Sequence, residues 1–305
     1  MKSLWNDADA KACAGDPLKL RIYTSRLLGR EPALVLHGGG NTSVKAPATN
    51  LFGDIEQLLY VKGSGWDLAT IEAQGFAPVK MDVLLRMAEL DRLADTDMVR
   101  VQRAAMTDPG APTPSVEAIL HAIIPFAFVD HTHADATVAV SNTPDGDRYI
   151  QQVYGDRILV IPYVMPGFVL AREVYRRTRG MDWSRYDGMV LLHHGVFSWG
   201  NDAKSSYERM IELVSRAEEF LEQRKATTVA RRTGATTVTG IEGTIAQLRH
   251  SASKARGSAM IVRLDDSPEA AGFADRPDVI DIATRGPLTP DHVIRTKNRP
   301  LVTGV

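Results

Sequence analysis

Cysteine is nearly absent. One residue of this type, Cys13, occurs in 305, so an internal disulfide is excluded and a reducing, cytoplasmic setting is the expectation. Excess charge is absent as well. Lys and Arg number 36 against 37 Asp and Glu, a formal net charge of −1, which gives no general attraction to nucleic acid or to an anionic membrane. No apolar run is long enough to span a bilayer. The opening residues Met1–Asp7 contain no apolar core of signal-peptide length. Internal repeats and low-complexity segments are missing too. What is present is an ordinary globular composition, 44% hydrophobic and 24% charged. That excludes a disordered or fibrous chain and suffices for one large domain or two small ones.

Strand-like runs alternate with helical ones. Residues 1–30 read as a helical opening, with Leu18 and Ile22 on one face. Ala33–Leu36, Thr42–Lys45, Leu58–Val61, Ile158–Ile161 and Met189–Leu192 have strand character, and Phe126–Val129 is an apolar run leading into Asp130–His133. Helices are predicted over Met81–Asp91, Ala134–Val140, Val169–Arg179 and, longest, Asp202–Arg224, where Tyr207, Ile211, Val214 and Leu221 recur at helical spacing. Ser115 can cap a helix from Val116 to about Ile124. Residues 226–257 read as a polar connection plus a surface helix around Ile245–Lys254. A strand is expected at Met260–Leu264 and a short one at Val279–Ile282 in a proline-rich end. The alternation argues for an α/β layered fold; it does not fix strand direction. The chain stops just after Leu301-Val302, which suggests docking of this end on the main body or a longer parent chain.

Three of the eight histidines fall where strands end. In His131-Thr132-His133 the two imidazoles are two residues apart, so on an extended segment they face the same way and can address one cation. A third imidazole, His194, from another strand end would complete a three-His site with open positions, as catalytic zinc requires. The plainer alternative is a pair of half-buried histidines bonded to backbone. Glu117 lies in the first turn of its helix, where a carboxylate is favourable for electrostatic reasons alone. Beside a divalent cation, the same carboxylate could move a proton at the carbon next to a polarised carbonyl.

Two glycine-rich turns follow apolar runs: Gly38-Gly39-Gly40-Asn41-Thr42-Ser43 and Lys62-Gly63-Ser64-Gly65. Glycines let backbone amides turn toward an anion, and Asn and Ser add donors, which suits a phosphate monoester. Neither turn matches the dinucleotide or Walker pattern, and such turns also serve simply to join strands. His121 sits one turn after Glu117 on the same helix face, as an orienting group or a core histidine. His37, opening the glycine turn, is a candidate to reach the phosphate, alternation points His193 away from the metal, and His292 of the tail phrase is a candidate to face the site. His250 reads as a surface residue. Cys13 has no partner that would make it a nucleophile.

Taken in order, Gly40-Asn41-Thr42-Ser43, Gly63-Ser64-Gly65, Pro114-Ser115-Val116-Glu117, His131-Thr132-His133 and Leu191-Leu192-His193-His194-Gly195 resemble the class II aldolase/adducin family. The phrases Ala283–Pro287 and Thr289–Lys297 resemble, more narrowly, the aldolase half of rhamnulose-1-phosphate aldolase/short-chain alcohol dehydrogenase fusions. No dehydrogenase fingerprint follows, so that second activity is not expected in this chain. The resemblance implies a three-layer α/β/α domain around a mainly antiparallel sheet, with residues 1–225 as the catalytic domain and 226–305 as a C-terminal extension packed on it or continuing from it. It implies His131, His133 and His194 as ligands of Zn2+ or another divalent metal, and Glu117 as the residue that binds metal at rest and shuttles the proton. Gly40, Asn41, Ser64, Gly65 and Ser115 match the phosphate-binding positions. Val116 departs from the family's common second serine and removes a hydroxyl donor; Arg295 or Lys297 could compensate if the tail folds back. A homotetramer is implied, with a tyrosine from a neighbouring subunit as acid, Tyr149 or Tyr154 here.

The reaction so implied is cleavage of a ketose 1-phosphate, such as rhamnulose 1-phosphate, to dihydroxyacetone phosphate and an aldehyde such as lactaldehyde. Epimerases, decarboxylases and a dehydratase of the same family share these motifs. A non-catalytic scaffold like the adducins is a third reading, but adducins lack the metal ligands. The partner expected is a small phosphorylated sugar, with neither nucleic acid nor membrane.

Overall fold

The computed structural model describes residues 1–227, 241–295 and 298–303, with the side chains of 294 and 295 excepted. Among them the chain divides into two compact units: Met1–Arg224 with Pro287–Asn298, and Lys225–Gly286 with Arg299–Val305. Among the described residues, the first unit contains all the strands. In chain order its elements are α1 (Asp7–Ala12), α2 (Pro17–Gly29), β1 (Asn41–Thr49), β2 (Ile55–Lys62), β3 (Phe76–Lys80), α3 (Met81–Ala88), α4 (Asp95–Ala104), α5 (Ala118–Ile123), β4 (Phe128–Thr132), α6 (Asp135–Ser141), α7 (Gly146–Tyr154), β5 (Ile158–Ile161), α8 (Phe168–Thr178), β6 (Gly188–Leu191), β7 (Gly195–Gly200) and α9 (Ala203–Gln223). The second unit carries α10 (Ile241–Arg256), α11 (Pro268–Ala274) and α12 (Val279–Ala283), and α13 (Pro290–Arg295) belongs again to the first.

The seven strands form one sheet in the order β3-β2-β1-β4-β7-β6-β5. Every pair is antiparallel except β5 with β6. Side chains alternate across a strand, and the two faces feed separate cores. Leu59, Val61, Val129, Met189, Leu191, Phe197 and Trp199 pack on one side with residues of α3, α5 and α8. Val190, Val196 and Ile158 pack on the other with residues of α2, α6, α7 and α9. The sheet is thus buried on both faces, the mainly antiparallel three-layer arrangement that the sequence resemblance implies.

A buried ion pair fixes the middle of the sheet. Arg21 of α2 and Asp130 of β4 are fully buried and meet at 2.5 Å. Ser206 of α9 donates to the other carboxylate oxygen at 2.5 Å, while Thr24 takes a further guanidinium bond. One carboxylate therefore ties a strand to two helices, next to His131. Charges so far from water require this degree of pairing.

Four segments differ from the sequence expectation. Ala33–Leu36 is a turn, because Leu34 and Val35 enter different apolar clusters and the Leu36 amide donates to a side chain, Asp291. The helix expected from Val116 begins at Ala118, after a turn in which the Ser115 hydroxyl accepts from the Glu117 amide. Val279–Ile282 is helical, with backbone bonds from Ile282 to Asp278 and Thr284 to Ile280; a four-residue apolar run suits either state. Met260–Leu264 pairs with no strand among the described residues, and Ile261 is exposed. The surface helix expected around Ile245–Lys254 is α10. Residues 228–240 of the expected polar connection lie outside the described residues.

Candidate active site

The site forms where β1, β4 and the β6–β7 turn meet. Asn41, the first residue of β1, pairs in register with His131 of β4. Thr132 pairs with Val196 of β7, and the turn joining β6 to β7 carries His193 and His194. His194 thus comes from a tight turn rather than a strand. His193 adopts a left-handed backbone conformation, φ 60°; its Nδ1 lies 2.8 Å from Asn142 Oδ1, and both residues line the cavity over the site. Gly195 makes the turn possible: a Cβ there would fall 2.4 Å from the Thr132 carbonyl and 2.9 Å from the His131 ring.

One ring nitrogen each from His131, His133 and His194 lies within 4.8 Å of the others. All three residues are buried. Glu117 Oε2 is 3.4 Å from His131 Nε2, and Glu117 Oε1 is 3.5 Å from His194 Nε2. His131 Nδ1 is bonded to the Val196 carbonyl at 3.1 Å. His131 Nε2, His133 Nε2, His194 Nδ1 and Glu117 Oε1 are buried without a hydrogen-bond partner. Buried polar atoms are almost always paired, so the unpartnered Nε2 atoms of His131 and His133 and the unpartnered Glu117 oxygen, beside the His194 ring, fit a cation held by three imidazoles. Burial pushes His131 well below the usual imidazole range, with the His133 ring beside it adding to the effect. Burial also lowers His194, to about 3, against the opposing pull of Glu117. Both rings are therefore neutral at pH 7, the form that binds a metal.

Glu117 is itself held. Asn41 Nδ2 donates to Glu117 Oε2 at 2.6 Å, Asn41 Oδ1 meets His121 Nε2, and His121 Nδ1 meets the Ser43 hydroxyl at 2.8 Å. His121 is fully buried, and desolvation keeps it well below its ordinary value. Of the two roles open to His121, it fills both: it is a satisfied core histidine, and it reaches Glu117 through Asn41.

A cavity of about 740 Å³ opens over this cluster, lined by residues including Gly40, Asn41, Ser64, Gly65, Ser115, Glu117, His133 and His194. His131 is fully buried and does not itself line the cavity. The glycine turns present fewer free amides than their composition suggests. The amides of Gly39, Gly63, Ser64 and Ser115 are bonded to the carbonyls of Leu36, Gly75, Thr113 and Lys62. Lys62, buried, also lines the cavity, and its Nζ donates to the Gly38 carbonyl at 2.7 Å, joining the two turns. Its signal in the sequence was a cation opening a Gly-Ser-Gly turn. Val116, Tyr163, Pro166, Leu288 and Val293 supply an apolar part of the wall.

His37 is exposed and His292 is bonded to Thr289 Oγ1 at 2.9 Å; neither lines the cavity. His250 is exposed on α10. Tyr154 is buried in its own core, donates to the Leu213 carbonyl at 3.0 Å and is pushed up to about 12 by desolvation. That position makes it unavailable to this cavity or a neighbour's. Tyr149 packs on Phe220 at 5.7 Å. The tyrosine in the cavity wall is Tyr163, which the sequence offered no reason to choose. Lys297 and the side chain of Arg295 lie outside the described residues.

Residues 19–221 match the family model for the class II aldolase and adducin N-terminal domain, and residues 241–305 match that for the aldolase class II second domain. The chain belongs to the class II aldolase and adducin family. The N-terminal class II aldolase domain of a conserved protein from Thermoplasma acidophilum is 40% identical, with a TM-score of 0.66 over 72% of this chain and 99% of that one. An aldolase II superfamily protein from Pseudomonas syringae shares the fold at 14% identity, TM-score 0.50, over 81% and 97% of the two chains. A Bacillus subtilis protein named uncharacterized oxidoreductase YuxG is 29% identical over 99% of this chain. The chain spans 44% of that relative's length. Among the described residues no helix is long and apolar enough to cross a membrane.

Proposed function

We propose that this chain is a zinc-dependent aldolase that cleaves a ketose 1-phosphate of the rhamnulose 1-phosphate type to dihydroxyacetone phosphate and an aldehyde such as lactaldehyde. The observation that carries the reading is the buried convergence of His131, His133 and His194 with Glu117 3.4 and 3.5 Å from two of their nitrogens. Three imidazoles with further positions open are the donor set of catalytic zinc. A divalent ion held there supplies Lewis-acid stabilisation of the negative charge left when the C3–C4 bond breaks.

The chain's own groups do the rest. In cleavage the C4 hydroxyl proton passes through water to Glu117, the C3–C4 electron pair moves into the ketone as the aldehyde departs, and C3 of the three-carbon product must gain a proton. Glu117 delivers that proton, and removes it in the synthetic direction. Asn41 holds one Glu117 oxygen and so sets which oxygen faces the substrate. The phosphate is assigned to the rim of Gly40, Asn41, Ser64, Gly65 and Ser115, with Lys62 adding a positive charge, and this anchors the reacting carbon. The apolar wall of Val116, Leu288 and Val293 suits the methyl end of a 6-deoxy sugar. A cytoplasmic homotetramer completes the reading. The exposed apolar tip of the β1–β2 hairpin, Leu51, Phe52 and Ile55, supports contact between subunits.

The test is incubation with rhamnulose 1-phosphate, following lactaldehyde and dihydroxyacetone phosphate by coupled reduction. Formation of both in equal amounts, abolished by a chelator and restored by zinc, is the expected result. An epimerised or dehydrated product with no aldehyde would reassign the reaction while keeping the site. Full turnover after chelation would remove the metal from the account.

A further inference from the structure

The tail phrase that begins at Pro287 returns to the first unit and places one carboxylate beside the histidine cluster. Asp291, the second residue of α13, is 2% exposed although it is an aspartate. Its Oδ1 lies 2.5 Å from His133 Nδ1. Its Oδ2 accepts the Leu36 amide at 2.7 Å. The fit on the third side is close: a Cβ on Gly39 would lie 1.5 Å from Asp291 Oδ1. Gly39 is not in the left-handed region, so its lack of a side chain serves the carboxylate rather than the backbone. A buried carboxylate must be paired to persist, and both partners of this one lie at the site's edge.

We propose that Asp291 is a positioning residue for the metal centre: it accepts the Nδ1 proton of His133 and fixes that ring with Nε2 turned to the cation. The inference rests on the proposed metal site. A metal-ligating histidine almost always donates its other ring N–H to a partner, and a carboxylate in that role also raises the ligand's basicity; His194 Nδ1 has no such partner. The Val196 carbonyl takes that role for His131; Asp291 takes it for His133 through a carboxyl oxygen. It comes from 158 residues further along the chain. The consequence is that the C-terminal segment is part of the metal site's construction, and the domain ending at α9 holds two of its ligands as well as the full chain does but not the third.

The experiment measures cobalt and zinc affinity of the full-length protein by competition with a chelating dye, together with the visible spectrum of the cobalt form. Asp291→Asn should weaken binding about 10–100-fold and shift the cobalt bands. Gly39→Ala, which leaves every donor in place but takes the space of the carboxylate, should weaken binding to a similar degree. The double variant should be no worse than either alone. Wild-type affinity and spectrum in Asp291→Asn would overturn the inference while leaving the metal site standing. Wild-type protein that binds no cobalt at His131, His133 and His194 would overturn the site and this inference with it. A reading independent of folding in the variants comes from the nitrogen-15 spectrum of the metal-free wild type. His133 should carry its proton on Nδ1, and a proton on Nε2 would contradict the assignment.

Discussion

Asn41 bridges Glu117 and His121: its amide nitrogen donates to Glu117 Oε2 at 2.6 Å, and its carbonyl oxygen meets His121 Nε2. These groups come from the start of β1 and from the Ser115–Ile123 turn and helix, 76 and 80 positions from Asn41. The carboxylate assigned to proton transfer is therefore aimed by a neutral amide whose other end is locked in the core. Replacing Asn41 with Ala should free Glu117 to turn. The expected effect is a fall in kcat of about tenfold to a hundredfold, with a smaller change in KM, since proton transfer by a positioned group contributes about 10²–10⁴-fold. Steady-state kinetics on rhamnulose 1-phosphate check it; a change confined to KM would assign Asn41 to binding alone.

Glu117→Gln should retain bound metal and lose about 10²–10⁴-fold in turnover. The glutamine keeps the volume and one acceptor for Asn41, but it cannot accept and return a proton. Metal analysis beside kinetics on the same preparation separates the two effects. Loss of metal in this variant would make Glu117 a ligand first.

The metal-free protein should become less stable as pH falls below neutrality. His121 and His131 are held well below the ordinary imidazole value, and His194 is lowered to about 3, in each case chiefly by burial. An unfolded chain takes up protons at these residues near pH ~6.5. Their stabilising contribution is complete above that pH and is lost as pH falls toward the folded values. The slope is up to about 1.4 kcal/mol per pH unit for each histidine. Denaturant unfolding of the chelated protein at pH 7 and pH 5 tests this; equal stability at the two would contradict it.

Arg21→Ala should be among the most damaging changes outside the site. It leaves Asp130 charged and buried, and breaking one side of such a pair costs about 3–5 kcal/mol. The expected result is a large drop in Tm with metal affinity falling as a consequence, because Asp130 precedes His131 on β4.

Much of this arrangement was legible in the residue order. The i, i+2 spacing of His131 and His133 on a strand needs only local geometry, and the ordered motifs brought His194 and Glu117 with them. The long amphipathic α9 was readable for the same reason: one repeating stripe of buried side chains. Other features depend on distant partners. β7 is buried at every position, so it shows no alternation to read. The strand character of Ala33–Leu36 misled because its two buried side chains, Leu34 and Val35, enter different clusters. Asp291 is one carboxylate in a proline-rich tail, and only the fold brings it to His133. That Tyr163, and neither Tyr149 nor Tyr154, lines this chain's own cavity likewise depends on packing.

The central claim is that His131, His133 and His194 hold one divalent ion on which turnover depends. Anomalous diffraction from crystals grown with cobalt or zinc measures it most directly. The account predicts a single strong peak about 2 Å from one nitrogen of each ring, absent in crystals of His133→Ala, a variant that should also be inactive. A peak elsewhere, or none at this cluster in an enzyme that still turns over, would contradict it.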